Sequence, residues 1–169
     1  GNYTQNHVSI EGRSGRTNFL VSGGHFEQEG ILPYLESYRR ANARLNLDFQ
    51  FAHGLSVHTS NFLANSTQPE MPAYSDQTVF ELLYATRPVA DLLAKDPSNP
   101  DQPVFKIGPG GWDMNPLYML WGDQRTRDRG RYVGSSTVRY RRGGWLTVDG
   151  NLSYDRSNDP GVASVKEIY

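Results

Sequence analysis

The chain has 169 residues, a formal net charge of -1 and no cysteine. These numbers exclude disulfides, zinc-thiolate sites and thiol nucleophiles, and give no bulk electrostatic case for a nucleic-acid partner. Apolar residues make up 37% and mean hydropathy is -0.63, with no run near the roughly 18 apolar residues of a spanning helix. A β-barrel stays open, because half of every barrel strand faces water and average hydropathy remains low. Aromatics are 12% of the chain, with ten Tyr, which suits the interfacial girdles of such a barrel.

The opening GNYTQNHVSI has neither an initiator Met nor a leader pattern, so a segment of a longer protein is expected. Six strands in three hairpins then follow. The first covers about 7–12, with Val8 and Ile10 opposite Ser9 and Glu11, and ends in a tight Ser14-Gly15 turn. The second, about 16–26, holds TNFLVSGGHF, whose paired glycines mark a bulge or a close backbone approach. EQEGILPYLES, 27–37, is a loop. The third strand, about 38–51, contains the clearest pattern in the chain. Ala41, Ala43, Leu45, Leu47, Phe49 and Phe51 alternate with Asn42, Arg44, Asn46, Asp48 and Gln50. Period-2 alternation makes one apolar and one polar face. A run of about 11 residues is what a tilted strand needs to cross a bilayer, whereas soluble strands are nearer 5–6.

Ala52-His53-Gly54 turns into the fourth strand, about 55–64, and residues 65–129 form a long excursion. Loops of that length in compact domains are functional or disordered. Thr78-x-x-Glu81 forms a capping box before VFELLYA, with Pro88 to stop or kink the helix. The fifth strand is about 130–141, the sixth about 145–155, and Arg142-Gly143-Gly144 turns between them. Connections therefore alternate short, medium, short, very long, short. Outer-membrane barrels join strands by short periplasmic turns and long external loops. On that rule 14–15, 52–54 and 142–144 are periplasmic, and 27–37 and 65–129 external. The fold class expected is all-β: an antiparallel transmembrane barrel segment whose long external loop carries a short helix.

Three segments resemble the SusC/RagA-type TonB-linked outer-membrane receptors. They are NHVSIEGRSGRTNFLVSGGHFEQEGIL (6–32), YRRANARLNLDFQF (38–51) and NPLYMLWGDQRTRDRGRYVGSSTVRYR (115–141). The most specific matches are Gln28-Glu29-Gly30, Arg44-Leu45-Asn46-Leu47 and Asn115-Pro116-Leu117. They touch five of the six strands and both ends of the long loop, whose middle matches only loosely. The resemblance implies a bacterial outer-membrane importer of glycans or peptides, working with the TonB complex and a SusD-like surface lipoprotein. It implies no enzyme activity and no cofactor. No plug domain or TonB box is visible in this sequence, and six strands do not close a large barrel, so the chain reads as part of such a receptor, 1–169.

Motifs for chemistry are sparse. His7, His25, His53 and His58 lack metal-ligand spacing, and no metal site is expected. Gly108-Pro109-Gly110-Gly111 lacks the ending of a phosphate loop, and no nucleophile elbow occurs. Asp96, Asn99 and Asp101 read as turn formers rather than calcium ligands. Arg125, Arg127, Arg129 and Arg131 alternate, which places them along one face, in a lumen or above its rim. Trp112, Asp113, Tyr118, Trp121 and Asp123 are the candidate substrate-binding residues. Sugars stack on aromatic faces and donate hydroxyl hydrogen bonds to carboxylates. The competing role for these aromatics is to pack the loop. Two alternatives to the SusC-like reading remain: a soluble β-sandwich carbohydrate-binding module, which would bury the Ala41–Phe51 face under a second sheet, and a siderophore-type TonB-dependent receptor.

Overall fold

A computed structural model of the chain describes residues 1–74, 77–108, 110 and 113–166. Its main element is an antiparallel sheet ordered β1 (Tyr3–Ser14), β2 (Thr17–Gln28), β3 (Tyr38–Gln50), β4 (Leu55–Glu70), β11 (Gln124–Arg142), β12 (Leu146–Asn158). Between β4 and β11 lie three two-stranded ribbons: β5 (Ala73–Tyr74) with β6 (Gln77–Thr78), β7 (Lys95–Asp96) with β8 (Asn99–Pro103), and β9 (Lys106–Ile107) with β10 (Asp113–Met114). Helices α1 (Val79–Ala85) and α2 (Pro116–Gly122) complete the excursion. A seventh strand, β13 (Val162–Lys166), pairs with the start of β11.

The register ties the alternation of β3 into the whole sheet. Leu47 pairs with Phe19 and Thr59, Leu45 with Val21 and Asn61, and Ala43 with Gly23 and Leu63. Continuing outward, Val21 pairs with Ile10, Leu63 with Tyr132, and Ser136 with Leu152. Paired residues share a face in an antiparallel ladder, so one side gathers Val8, Ile10, Val21, Leu45, Leu47, Phe49, Val57, Leu63, Val138 and Leu152. The other gathers Arg40, Arg44, Asp48, His58, Arg131, Arg139, Asp149 and Asp155.

Among the described residues no second layer covers the apolar side. Val8 is 67% exposed, Leu63 48% and Leu152 73%. Among the described residues the buried hydrophobic ones are Val79, Ile107, Leu117, Met119 and Leu120, all in the excursion. A soluble sandwich places its core between two sheets; here the sheet contributes no buried hydrophobic residue and the small core sits beyond its rim. Leu32, Tyr34 and Leu35 of the β2–β3 loop pack on that same core, so the two longer connections share one rim. The three short turns share the opposite rim, as their register requires.

Several boundaries differ from those expected. The first strand starts at Tyr3 rather than near 7, β4 runs to Glu70, and β11 starts at Gln124, so the excursion is 71–123 instead of 65–129. The added segments NSTQPE and QRTRDR carry no apolar alternation. They extend because each continues a ladder already in register and adds cross-strand polar contacts: Thr67 Oγ1 donates to Asp128 Oδ1 at 2.6 Å, and Arg127 Nε lies 2.9 Å from Glu70 Oε1. That Arg127 nitrogen is aimed off the carboxylate, which makes the contact an ion pair rather than a directed hydrogen bond. Gly23-Gly24 makes no bulge, for β1, β2 and β3 pair there without a shift. Gly24 serves close approach instead: a Cβ would lie 3.2 Å from Asn42 Oδ1 and 3.4 Å from His7 Nδ1. The register shifts instead at Asp159-Pro160-Gly161, and again between Gln124 and Arg125, whose partners are Lys166 and Ser164. Asn158 pairs with Gly130 and Val162 with Arg127, so β12 and β13 form one edge interrupted by an extra residue. Asp159 holds this kink by accepting from Gly161 N at 3.3 Å and Arg129 Nε at 3.0 Å.

The turn at Ala52–Gly54 is the most constrained of the short connections. His53 and Gly54 have φ of 63° and 80°, and a Cβ on Gly54 would stand 2.0 Å from the Arg141 carbonyl oxygen. The β3–β4 turn therefore sits hard against the neighbouring hairpin. Gly54→Val adds left-handed strain and a backbone clash, and should cost about 1–3 kcal/mol or more. Urea unfolding of the folded protein measures this; an unchanged midpoint would mean that the turn is not packed on β11.

Candidate functional site

Asp113, Tyr118, Trp121 and Asp123 lie on or beside α2, at the rim carrying the long connections. Asn115 positions this helix. Its side chain is fully buried, accepts from Leu117 N at 3.0 Å and donates from Nδ2 to the Leu92 carbonyl at 3.1 Å. Its backbone N–H donates to the Phe105 carbonyl at 2.9 Å. Pro116 occupies the first helical position, where its missing N–H costs nothing and its φ suits the helix. Asn115-Pro116 is thus a legible helix start, although α2 is absent from the expected elements.

Tyr118 and Trp121 lie one turn apart, with ring centroids 5.9 Å from each other. Tyr118 also meets Phe105 edge-on at 5.0 Å. Both are half-buried, so the rings pack on one another and on the β8–β9 connection. The two acids are separated by the helix. Asp113 precedes α2 and lies 3.5 Å from Arg87 Nε. Asp123 ends it and takes two contacts from Arg125, at 2.7 and 2.6 Å. Each carboxylate therefore already carries an arginine. Trp112 lies outside the described residues. The structure brings Tyr118 and Trp121 together and adds Phe105, which no spacing rule connects to them.

The Thr78–Glu81 capping box is present: Thr78 N donates to Glu81 Oε2 at 2.6 Å, and Glu81 N to Thr78 Oγ1 at 3.3 Å. The helix ends at Ala85, before Pro88. Tyr34, at φ 67°, bridges the two loops. Its hydroxyl accepts from Lys95 Nζ at 2.6 Å and its carbonyl from Gln124 Nε2 at 3.4 Å. Asp96 and Asn99 accept from Ser98 N and Asp101 N, two residues on, as turn formers do. Among the described residues no group of three or more His, Cys, Asp or Glu is placed to hold a metal ion.

The alternating arginines stand on the polar face. Arg129 lies 3.0 Å from Asp159, Arg131 2.6 Å from Asp155 and Arg139 2.6 Å from Asp149. His58 and Asp48, directly opposed, are hydrogen-bonded. Ser60 Oγ donates to Asn46 Oδ1 and Thr137 Oγ1 to Asn151 Oδ1, each at 2.8 Å. Hollows open on this face, among them one lined by Arg40 and Arg131 and one lined by Glu11 and Asp48. Neither a family model nor a curated protein matches this chain.

Two outcomes test this account of the excursion. Asn115→Ala leaves the Leu117 N–H and Leu92 carbonyl without their buried partner, and should cost about 1–3 kcal/mol locally. Limited proteolysis should then cut within 71–123 faster than in the parent, with the sheet intact. The Glu81 carboxyl is held below its usual range by hydrogen bonds from the Thr78 backbone and then its side chain. Its contribution is therefore complete above the ordinary carboxylate pKa and is lost as pH falls through the lowered value. Hydrogen-exchange protection of α1 should fall between about pH 6 and pH 3. Glu81→Gln keeps an acceptor in the box and should flatten that dependence.

Proposed function

We infer that this chain is a wall segment of a SusC-like, TonB-dependent outer-membrane transporter that imports a glycan or peptide. The observation that carries the reading is a single-layered sheet with one apolar face left open. Lipid is a covering for such a face that requires no second protein layer. Strand length supports it: the six main strands run from 12 to 19 residues, against the 9–11 a tilted strand needs to cross. The excess lies at the rim of the long connections, where the apolar face gives way to Arg39–Glu27 and Thr67–Asp128 contacts. Tyr132 and Tyr154, 6.1 Å apart on the apolar face, suit the aromatic girdle of an interface.

The charged face then lines the lumen, and residues 29–37 and 71–123 stand together on the external side. The outer edges of β1 and β12 pair with no strand among the described residues. In lipid such edges demand partners, because no water satisfies their N–H and C=O groups. Further strands of the receptor fill that role. TonB coupling, the SusD-like lipoprotein and the imported ligand belong to the whole receptor and follow from the motifs at 28–30, 44–47 and 115–117. The chain supplies wall and loops and does no covalent chemistry.

The two faces give opposite responses to the same substitution. Leu47→Arg on the apolar face should cost about 2–4 kcal/mol near the bilayer midplane, and Asn46→Arg next to it should be close to neutral. Folding of the whole receptor into liposomes measures both. Equal costs would defeat the assignment of faces. A monodisperse monomer of this chain in plain buffer would defeat the membrane reading.

A further inference from the structure

The charge of the polar face is not uniform along the strands. Towards the rim of the long connections a hollow is lined by Tyr38, Arg40, Phe62, Ser66, Arg129 and Arg131. Arg44 stands beside it, its guanidinium 5.4 Å from the centre of the Phe62 ring. Four arginines thus meet two carboxylates, Asp155 and Asp159, which are held by Arg131 and Arg129. Arg40 and Arg44 have no carboxylate partner among the described residues. Towards the short turns the positive excess disappears: Glu11, Asp48 and Asp149 there meet Arg13, Arg139 and Arg141, with His58 on Asp48.

We propose that the upper hollow is a binding site for carboxylate groups of an oligomeric ligand. The inference rests on the barrel reading and names the chemistry of its cargo. An exposed guanidinium with no internal counter-ion is ready to take a carboxylate through paired N–H donors. Arg40 offers that fork at one side of the hollow. Tyr38 and Phe62 give it an apolar floor, and the Ser66 hydroxyl adds a neutral donor and acceptor. Arg44, likewise without a carboxylate partner among the described residues, keeps the local potential positive over the Phe62 ring and draws an anion towards the floor. The loss of that positive excess further down would loosen the hold as the ligand passes, so the site binds at the entrance without trapping.

Two kinds of oligomer carry repeated carboxylates, uronic-acid saccharides and acidic peptides, and the experiment separates them. The whole receptor is purified from outer membranes, and calorimetry follows binding of trigalacturonate, tetraglutamate, neutral galactotriose and tetraglutamine. One acidic probe should bind and its neutral counterpart should not, with affinity falling as salt rises. The acid that binds identifies the source. Arg40→Gln should weaken binding about tenfold, the scale of a lost charge-assisted hydrogen bond, while Arg139→Gln in the lower part should change it by less than about twofold. Equal binding of acid and neutral probes, no binding of any probe, or indifference to Arg40→Gln would overturn the site. Heat-modifiable migration on gels, measured on the same samples, reports the barrel itself. Its absence would remove the barrel reading together with this one, whereas a normal barrel with no acid preference removes only the site.

Discussion

Everything in this molecule hangs on register. A strand repeats every two residues, so a slip of one position would carry the apolar set of β3 to the opposite face. Six strands hold the same parity. Directly opposed polar pairs fasten it from the charged side: Asp48 with His58, Asn46 with Ser60, Arg139 with Asp149, Thr137 with Asn151. None of these pairs adds much stability in water, where exposed ion pairs contribute about 0–1 kcal/mol. Their effect is selective, since each would be broken by a slip that the apolar side chains alone tolerate poorly but do not forbid.

The second constraint is the return of the chain from β4 to β11. These strands pair over 16 residue positions although more than fifty residues separate them. Closing so long a loop is entropically costly, and the excursion offsets part of that cost by building its own small core. Asn115 fixes α2 against the 92 and 105 backbones, α1 packs on α2, and Tyr34 brings in the β2–β3 loop. The excursion is therefore a folded cap whose ends arrive beside each other, ready to extend the ladder.

Among the described residues the sheet forgoes the burial that usually stabilises a sheet in water. A soluble sheet buries one face, and the hydrophobic gain offsets the entropy of ordering its backbone. Here that face is open and two strand edges remain unpaired among the described residues. On the transporter reading proposed above, a bilayer would cover that face and adjoining strands would pair those edges.

Local chemistry was legible from residue order alone. The alternation at 41–51, the turns at 14–15, 52–54 and 142–144, and the Thr78–Glu81 box each depend on neighbours within a few positions. Asn115-Pro116 was equally local, an N-cap followed by proline, and marked a helix that periodicity over so short a span does not reveal. What depends on distant partners was not legible. The polar ends of β4 and β11 become strand only because each meets the other in register, and the β12–β13 kink exists because Asp159 finds Arg129. Tyr118 and Trp121 were visible as aromatics, but their packing on Phe105, and the arginines that occupy Asp113 and Asp123, arise from chain returns that spacing does not encode. The sequence determined which residues share a face, since parity is a property of the strand. Only the tertiary structure decided that no described residue forms a layer over the apolar one, because the presence of a second layer is a fact about the whole sheet and not about any stretch of it.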